Sequence, residues 1–121
     1  ELLSRPDSIG EAAALHLGRS GIEPALAQLT PMLGDANPVM RRNAALAMGF
    51  TRKAAFSDTL LVAAVQESTV SVRQAMIGAV GEIKEPSAIP SLRNLARDFP
   101  MHGIQIETIL QGLEVSGNPE A

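Results

Sequence analysis

The two histidines are the side chains of this sequence best suited to proton transfer or metal binding, and they stand far apart. His16 and His102 are separated by 86 residues, and no His-Glu dipeptide occurs anywhere in the chain. A metal site or a catalytic base needs partner residues that the fold brings close to it. We therefore expect both histidines to be surface or turn residues, and the sequence predicts no catalytic residue and no metal ligand.

Other reactive arrangements are equally scarce. The chain has no cysteine, which excludes a disulfide, a thiolate metal site and a cysteine nucleophile. No glycine-rich phosphate loop is present, and Glu82 and Glu85 are better explained as a solvated helix end than as a catalytic carboxylate pair. The sequence therefore favours a protein without cofactor and without enzymatic activity.

Charged residues instead recur at a fixed interval. Three acidic residues, Asp35, Glu67 and Asp98, stand at steps of 32 and 31. An arginine follows each of the first two by six positions. Recurrence at a fixed period indicates a structural role in a repeat protein. We expect these residues to pair within or between repeats as a charge ladder. The ladder consists of Asp35, Arg41, Glu67, Arg73 and Asp98.

Hydrophobic spacing predicts the elements that carry these charges. Apolar residues recur with the 3.6-residue period over seven segments, which we interpret as helices. Asn37 followed by Pro38 is the clearest helix start, and Ser68 or Thr69 is expected to cap a later helix. Pro31 predicts a kink or an early end in the second helix. The predicted helices cover 8–17, 22–33, 38–51, 54–66, 70–83, 86–98 and 101–115, after a frayed lead-in over residues 1–7.

The repeat also resembles a known family. Met40-Arg41 with Ala47-Met48-Gly49, and Val72-Arg73 with Ala79-Val80-Gly81, resemble the signature of HEAT-like repeats, closest to the short type named after phycobilisome lyases. The resemblance implies an all-α fold, an armadillo-like α-solenoid of antiparallel helix pairs forming an α-α superhelix. We expect residues 8–121 to form a single domain that is a segment of a larger protein. The family name implies, as an alternative function, a phycobilin-lyase-like chromophore handler or small enzyme.

Small residues are expected to set the spacing between helices. Gly18, Gly49 and Gly81 fall where the second helix of each repeat ends. Glycine lets two backbones approach closely because it has no Cβ atom. We therefore predict that these three positions lie in contacts between neighbouring helices.

Composition narrows the class of partner. The net charge is −3 and aromatic residues make up 2% of the chain, so a nucleic-acid surface is not expected. The longest purely apolar run, residues 60–65, is too short to cross a bilayer, and no membrane partner is expected. We expect a cytoplasmic scaffold that binds another protein or a peptide, with end-to-end self-association as a further expectation. A structural spacer within a larger protein is the remaining alternative.

The predicted partner-binding face lies on the second helices of the repeats. Leu15, Leu46, Gly78 and Leu110 would form its midline, with Gly78 leaving a notch for a partner side chain. The alternative is that Leu46, Phe50 and Leu110 are simply buried between adjacent helices. The complete candidate face comprises Glu11, Leu15, Arg42, Leu46, Phe50, Gln74, Gly78, Glu82, Ile106 and Leu110.

Overall fold

Helices form all the regular structure in the described part of the chain. The structure, a computed structural model, describes residues 8–20 and 26–117, and the side chains of residues 12–20 and 26–114. The expected lead-in and the expected start of the second helix lie outside these residues. The helices are α1 (Ser8–Ser20), α2 (Leu29–Met32), α3 (Pro38–Thr51), α4 (Ala55–Gln66), α5 (Val70–Ile83), α6 (Ile89–Asp98) and α7 (Gly103–Gly117). Short 3₁₀ helices, Pro86–Ala88 and Pro100–His102, precede α6 and α7.

The helices pack as two layers. The second helices α1, α3 and α5 lie side by side, while the first helices α2, α4 and α6 each pack against the helix that follows them. The pairs are therefore α2 with α3, α4 with α5 and α6 with α7, and α1 covers the free side of α3. Each pair buries its apolar faces against its neighbours, as solenoid repeats do. This arrangement confirms the predicted all-α solenoid.

Helix boundaries follow local chemistry. The side chain of Asn37 accepts a hydrogen bond of 2.9 Å from the Val39 N–H, and Pro38 opens α3, as predicted. The hydroxyl cap expected for α5 is wrong, because Thr69 makes no side-chain capping bond. The Glu67 carboxylate accepts the Thr69 N–H at 3.1 Å instead. Helix α2 stops at Met32, one residue after Pro31, which confirms the expected early end.

Two of the predicted glycine contacts bring backbones together. A Cβ atom on Gly49 would lie 3.0 Å from both the Cα and Cβ atoms of Ala79. A Cβ on Gly18 would meet the carbonyl oxygen of Ala47 and would lie 2.6 Å from the Cβ of Phe50. These distances are shorter than van der Waals contact, so α1, α3 and α5 can pack this closely only because glycine occupies both positions.

The third glycine contact is different, and α7 is held further away. Gly81 of α5 faces Ile109 of α7, whose Cγ1 atom would lie 2.8 Å from an added Cβ. The two earlier contacts are made by backbone atoms and Cβ atoms, whereas Gly81 is covered by the outer atoms of a branched side chain, which keeps the two backbones further apart. Helix α7 accordingly packs more on α6 than on α5, and a crevice of about 200 Å³ opens beside Gly81 and Lys84.

Candidate interaction surfaces

Arg41 joins one repeat to the next. Its Nε and Nη2 atoms donate to the two carboxylate oxygens of Glu67, each at 2.9 Å. Its Nη1 atom donates to the carbonyl oxygen of Asp35 at 2.8 Å, within its own repeat. A bidentate pair between a planar guanidinium and a carboxylate fixes the relative orientation of the two groups as well as their distance. Arg41 therefore ties the turn after α2 to the turn after α4.

The Arg41–Glu67 pair is largely enclosed. The Glu67 side chain is 3% exposed and the Arg41 side chain is 15% exposed. Burial alone would raise the pKa of the Glu67 carboxyl, but the hydrogen bonds from Arg41 and the Thr69 N–H outweigh it and hold that pKa below its ordinary value. The hydrogen bond to Glu67 correspondingly raises the pKa of Arg41 against the effect of burial. Both groups therefore stay charged.

Arg73 does not follow the predicted ladder. It was expected to pair with an acidic side chain, and that prediction is wrong, because its Nε atom donates to the carbonyl oxygen of Ala64 at 3.2 Å and its Nη2 atom donates to that of Glu67. Its guanidinium carbon lies 4.1 Å from the centre of the Phe99 ring. Asp98, the predicted acid of the ladder, is exposed and contacts Arg97 at 3.3 Å.

The period of the repeat explains why Arg73 lies against Phe99 instead of an acidic side chain. Phe99 stands 26 residues after Arg73, as Glu67 stands 26 residues after Arg41. A constant step of 32 from Asp35 through Glu67 leads to Phe99, whereas the ladder was drawn with a final step of 31 to Asp98. A strict period in the sequence would therefore have identified the aromatic residue as the partner of Arg73.

His102 also departs from expectation. It lies in the turn before α7, but it is buried and not at the surface, and its Nε2 atom is 3.5 Å from Nη1 of Arg73. Burial, together with the positive charge of Arg73, lowers the pKa of His102 from its ordinary value. His16 is exposed, as predicted. Within the described residues, no group of histidine, aspartate and glutamate side chains is arranged to hold a metal ion.

The predicted partner-binding face is partly open. Gln74 and Gly78 are exposed, and most of the other members are half-buried. The prediction is wrong for Ile106, which is fully buried in the core. The side chain of Glu11 lies outside the described residues. The half-buried members, of which Leu46 and Leu110 also pack on the core, are Leu15, Arg42, Leu46, Phe50, Glu82 and Leu110.

The expected notch at Gly78 is narrowed by a neighbouring side chain. The Nε2 atom of Gln105 donates to the carbonyl oxygen of Gln74 at 2.9 Å and lies 3.4 Å from where a Gly78 Cβ would stand. Gln105 occupies the arginine position of the last repeat, 32 residues after Arg73. Its amide crosses from α7 to α5 and fills part of the space beside Gly78.

Sequence reasoning missed a groove along the first helices. A cleft of about 500 Å³ lies between α4 and the turn after α2, and a smaller one of about 180 Å³ lies between α4 and α6. Val62 lines both clefts. Val62 is 61% exposed, and Val65 is 57% exposed on the same helix. Their spacing of three residues along one helix face was the signal available in the sequence.

The stacked antiparallel helix pairs place this chain in the class of α-solenoid repeat proteins. The family model for HEAT repeats matches residues 26–107, well over half of the chain. The chain therefore belongs to the HEAT repeat family. Neither the curated proteins nor the solved structures contain a match to it. None of the helices, over the residues described, combines the length and the apolar character that crossing a membrane requires.

Proposed function

We propose that this chain is a protein-interaction module that binds a partner protein or peptide on its second helices. The observation that carries the proposal is the family membership, because HEAT repeats commonly mediate protein–protein interaction. The side-by-side packing of α1, α3 and α5 supports it, since this layer presents one continuous surface.

The chemistry of this layer suits an amphipathic helix. Leu46 and Leu110 are half-buried, so each keeps apolar surface within reach of a partner while it packs on the core. Charged side chains, Arg42 and Glu82, flank Leu46 and Gly78 on α3 and α5. An apolar midline with polar edges is the pattern by which grooves receive helical peptides.

The test begins with a peptide library displayed on phage and panned against the purified chain. The selected peptide is then titrated against wild-type protein and against Gly78→Arg, which places a long side chain on the exposed centre of the face. We expect the dissociation constant to rise about tenfold or more, with an unchanged melting temperature. Gly112→Arg is the matched control, because Gly112 is also exposed and has no atom within 4 Å of an added Cβ. Equal weakening by the two variants would contradict the proposal.

A further inference from the structure

The first helices carry a second surface, on the side of the molecule away from the second-helix layer. Its larger part lies between α4 and the turn after α2, and its smaller part lies between α4 and α6. Val62 lines both parts, so they lie side by side across the three first helices, with Val62 between them. We call it the first-helix groove, and its central residues are Asp35, Val62, Val65 and Asp98.

The middle of the groove is apolar and open to solvent. Val62 and Val65 lie three residues apart on α4, and more than half of each side chain is exposed. The opposite face of α4, with Leu60 and Ala64, is fully buried in the core. Exposed valines on a helix contribute little to its formation, because β-branched side chains lose rotamer freedom there. Since more than half of each of these two side chains is exposed, their apolar surface is available to a partner side chain.

The two ends of the groove are acidic. Asp35 lines the part beside α2, where its carboxylate is exposed and accepts the Asn37 N–H at 2.8 Å. Asp98 lines the part beside α6, and its contact with Arg97 is between two mostly exposed side chains and is therefore weak. Asp58 is exposed on the same face of α4 as Val62 and Val65, at helical spacing of four and seven residues.

Among the residues that the structure describes, Arg41 is the one cation lining these two clefts, and it does not offset the carboxylates. Arg41 lines the larger cleft, but its Nε and Nη2 atoms donate to the Glu67 carboxylate. Its Nη1 atom donates to the carbonyl oxygen of Asp35. The Arg41–Glu67 pair is neutral as a unit. The field along the groove is therefore set by the exposed aspartates and is negative.

We propose that the first-helix groove binds a basic linear peptide segment of a partner protein. One apolar side chain of the segment packs on Val62 and Val65, and flanking lysine or arginine side chains reach Asp35 at one end and Asp98 at the other. The charge complementarity specifies the occupant, because an acidic segment or a nucleic acid would be repelled by the same carboxylates. This surface is separate from the second-helix face and does not depend on it.

The experiment uses fluorescence anisotropy with a fluorescein-labelled peptide, Arg-Lys-Leu-Leu-Lys-Arg, as the probe. The charge-reversed peptide, Glu-Glu-Leu-Leu-Glu-Glu, is the control probe. We expect the basic peptide alone to bind, with an affinity that falls as salt is added. Asp35→Asn and Asp98→Asn should each raise the dissociation constant about fivefold, and Val62→Ser should do the same without altering the salt dependence. Asparagine keeps the oxygen that accepts the Asn37 N–H, so the turn at residue 35 stays intact.

Two further variants keep the outcomes distinct. Glu107→Gln removes an exposed carboxylate of α7, outside the groove, and should leave binding unchanged. Gly78→Arg, which blocks the second-helix face, should also leave it unchanged. Equal loss with Glu107→Gln would show non-specific attraction of a cation to an acidic protein and would overturn the proposal. Light scattering that showed Val62→Ser dispersing a dimer would assign the groove to a second copy of the chain and would overturn it equally.

Discussion

The guanidinium carbon of Arg73 lies 4.1 Å from the centre of the Phe99 ring, at the place in the repeat where Arg41 meets the carboxylate of Glu67. Arg41 and Arg73, which hold the same position in successive repeats, are thus stabilised in two different ways. Arg41 has a full counter-charge, whereas Arg73 has an aromatic face and the carbonyl oxygens at the C-terminal end of α4. That helix end carries partial negative charge, which suits a buried cation.

Lysine should be a poor substitute at position 73. Arg73→Lys keeps the charge but loses the planar fork that donates to two carbonyl oxygens and stacks on Phe99. We expect the free energy of unfolding to fall by roughly 2 kcal/mol, since hydrogen bonds from a charged donor are each worth about 1.5–3 kcal/mol. Urea denaturation measures the change. Arg93→Lys is the control, because Arg93 is 60% exposed where it pairs with Glu114, and little loss is expected there.

A double-mutant cycle should separate the two kinds of ion pair in this protein. Arg41→Met leaves the enclosed Glu67 carboxylate without its partner, so it should cost roughly 3 kcal/mol, more than Glu67→Gln. The coupling energy of this pair should be about 1–3 kcal/mol. The same cycle on Arg52 and Glu82, whose side chains are 69% and 43% exposed at 3.5 Å, should give a coupling of less than about 0.5 kcal/mol. Similar couplings for both pairs would show that enclosure does not matter here.

Acidification should destabilise the fold through His102. Its pKa in the folded chain lies below the ordinary 6.5, because burial and the charge of Arg73 disfavour the imidazolium. The unfolded chain therefore takes up its proton at a higher pH than the folded chain. The contribution of the neutral ring is complete above about pH 6.5 and is lost as the pH falls from there toward the folded pKa. Denaturation curves from pH 8 to pH 5 measure this slope, and His102→Gln should flatten it.

A second loss of stability is expected in stronger acid. The folded pKa of Glu67 lies below the ordinary 4.5, so its contribution is present above that value and disappears as the pH falls through the folded pKa. His102→Gln should leave this lower transition in place, while Glu67→Gln should remove it. A profile for His102→Gln as steep as that of the wild type between pH 8 and pH 5 would show that His102 is not the group that titrates there.

The fold was predictable because it depends on local and periodic signals. Asn37 and Pro38, two consecutive residues, mark the start of α3, and Gly49 and Gly81 recur with the repeat. The surfaces were less predictable because burial depends on how neighbouring helices are offset. Ile106 satisfies the same helical spacing as Leu110, yet one is fully buried and the other is half-buried, a difference that no single helix determines.

Glycine at position 49 should be irreplaceable, whereas glycine at 112 should not. Gly49→Ala would place a Cβ atom 3.0 Å from the Cα of Ala79, and backbone must then move to admit it. We expect a loss of roughly 1–3 kcal/mol, as for other overpacked sites. Gly112→Ala adds a methyl group with nothing within 4 Å and should stabilise α7 by about 0.5–1 kcal/mol. Thermal denaturation of both variants gives the comparison, and a stabilised Gly49→Ala would show that α3 and α5 can separate without cost.

Two isoleucines of α7 provide the sharpest test of the packing. Ile106 is fully buried and Ile104 is 85% exposed, although they stand two residues apart on the same helix. Ile106→Ser opens a cavity and buries a hydroxyl, so it should cost about 3–5 kcal/mol. Ile104→Ser should leave the melting temperature nearly unchanged. In the two preceding repeats the position of Ile104 is held by Met40 and Val72, which are 7% and 2% exposed, so Ile104 is where end-to-end association would bury apolar surface. Light scattering across a dilution series should therefore show weaker association for Ile104→Ser than for the wild type, and identical monomers at every concentration would refute that expectation.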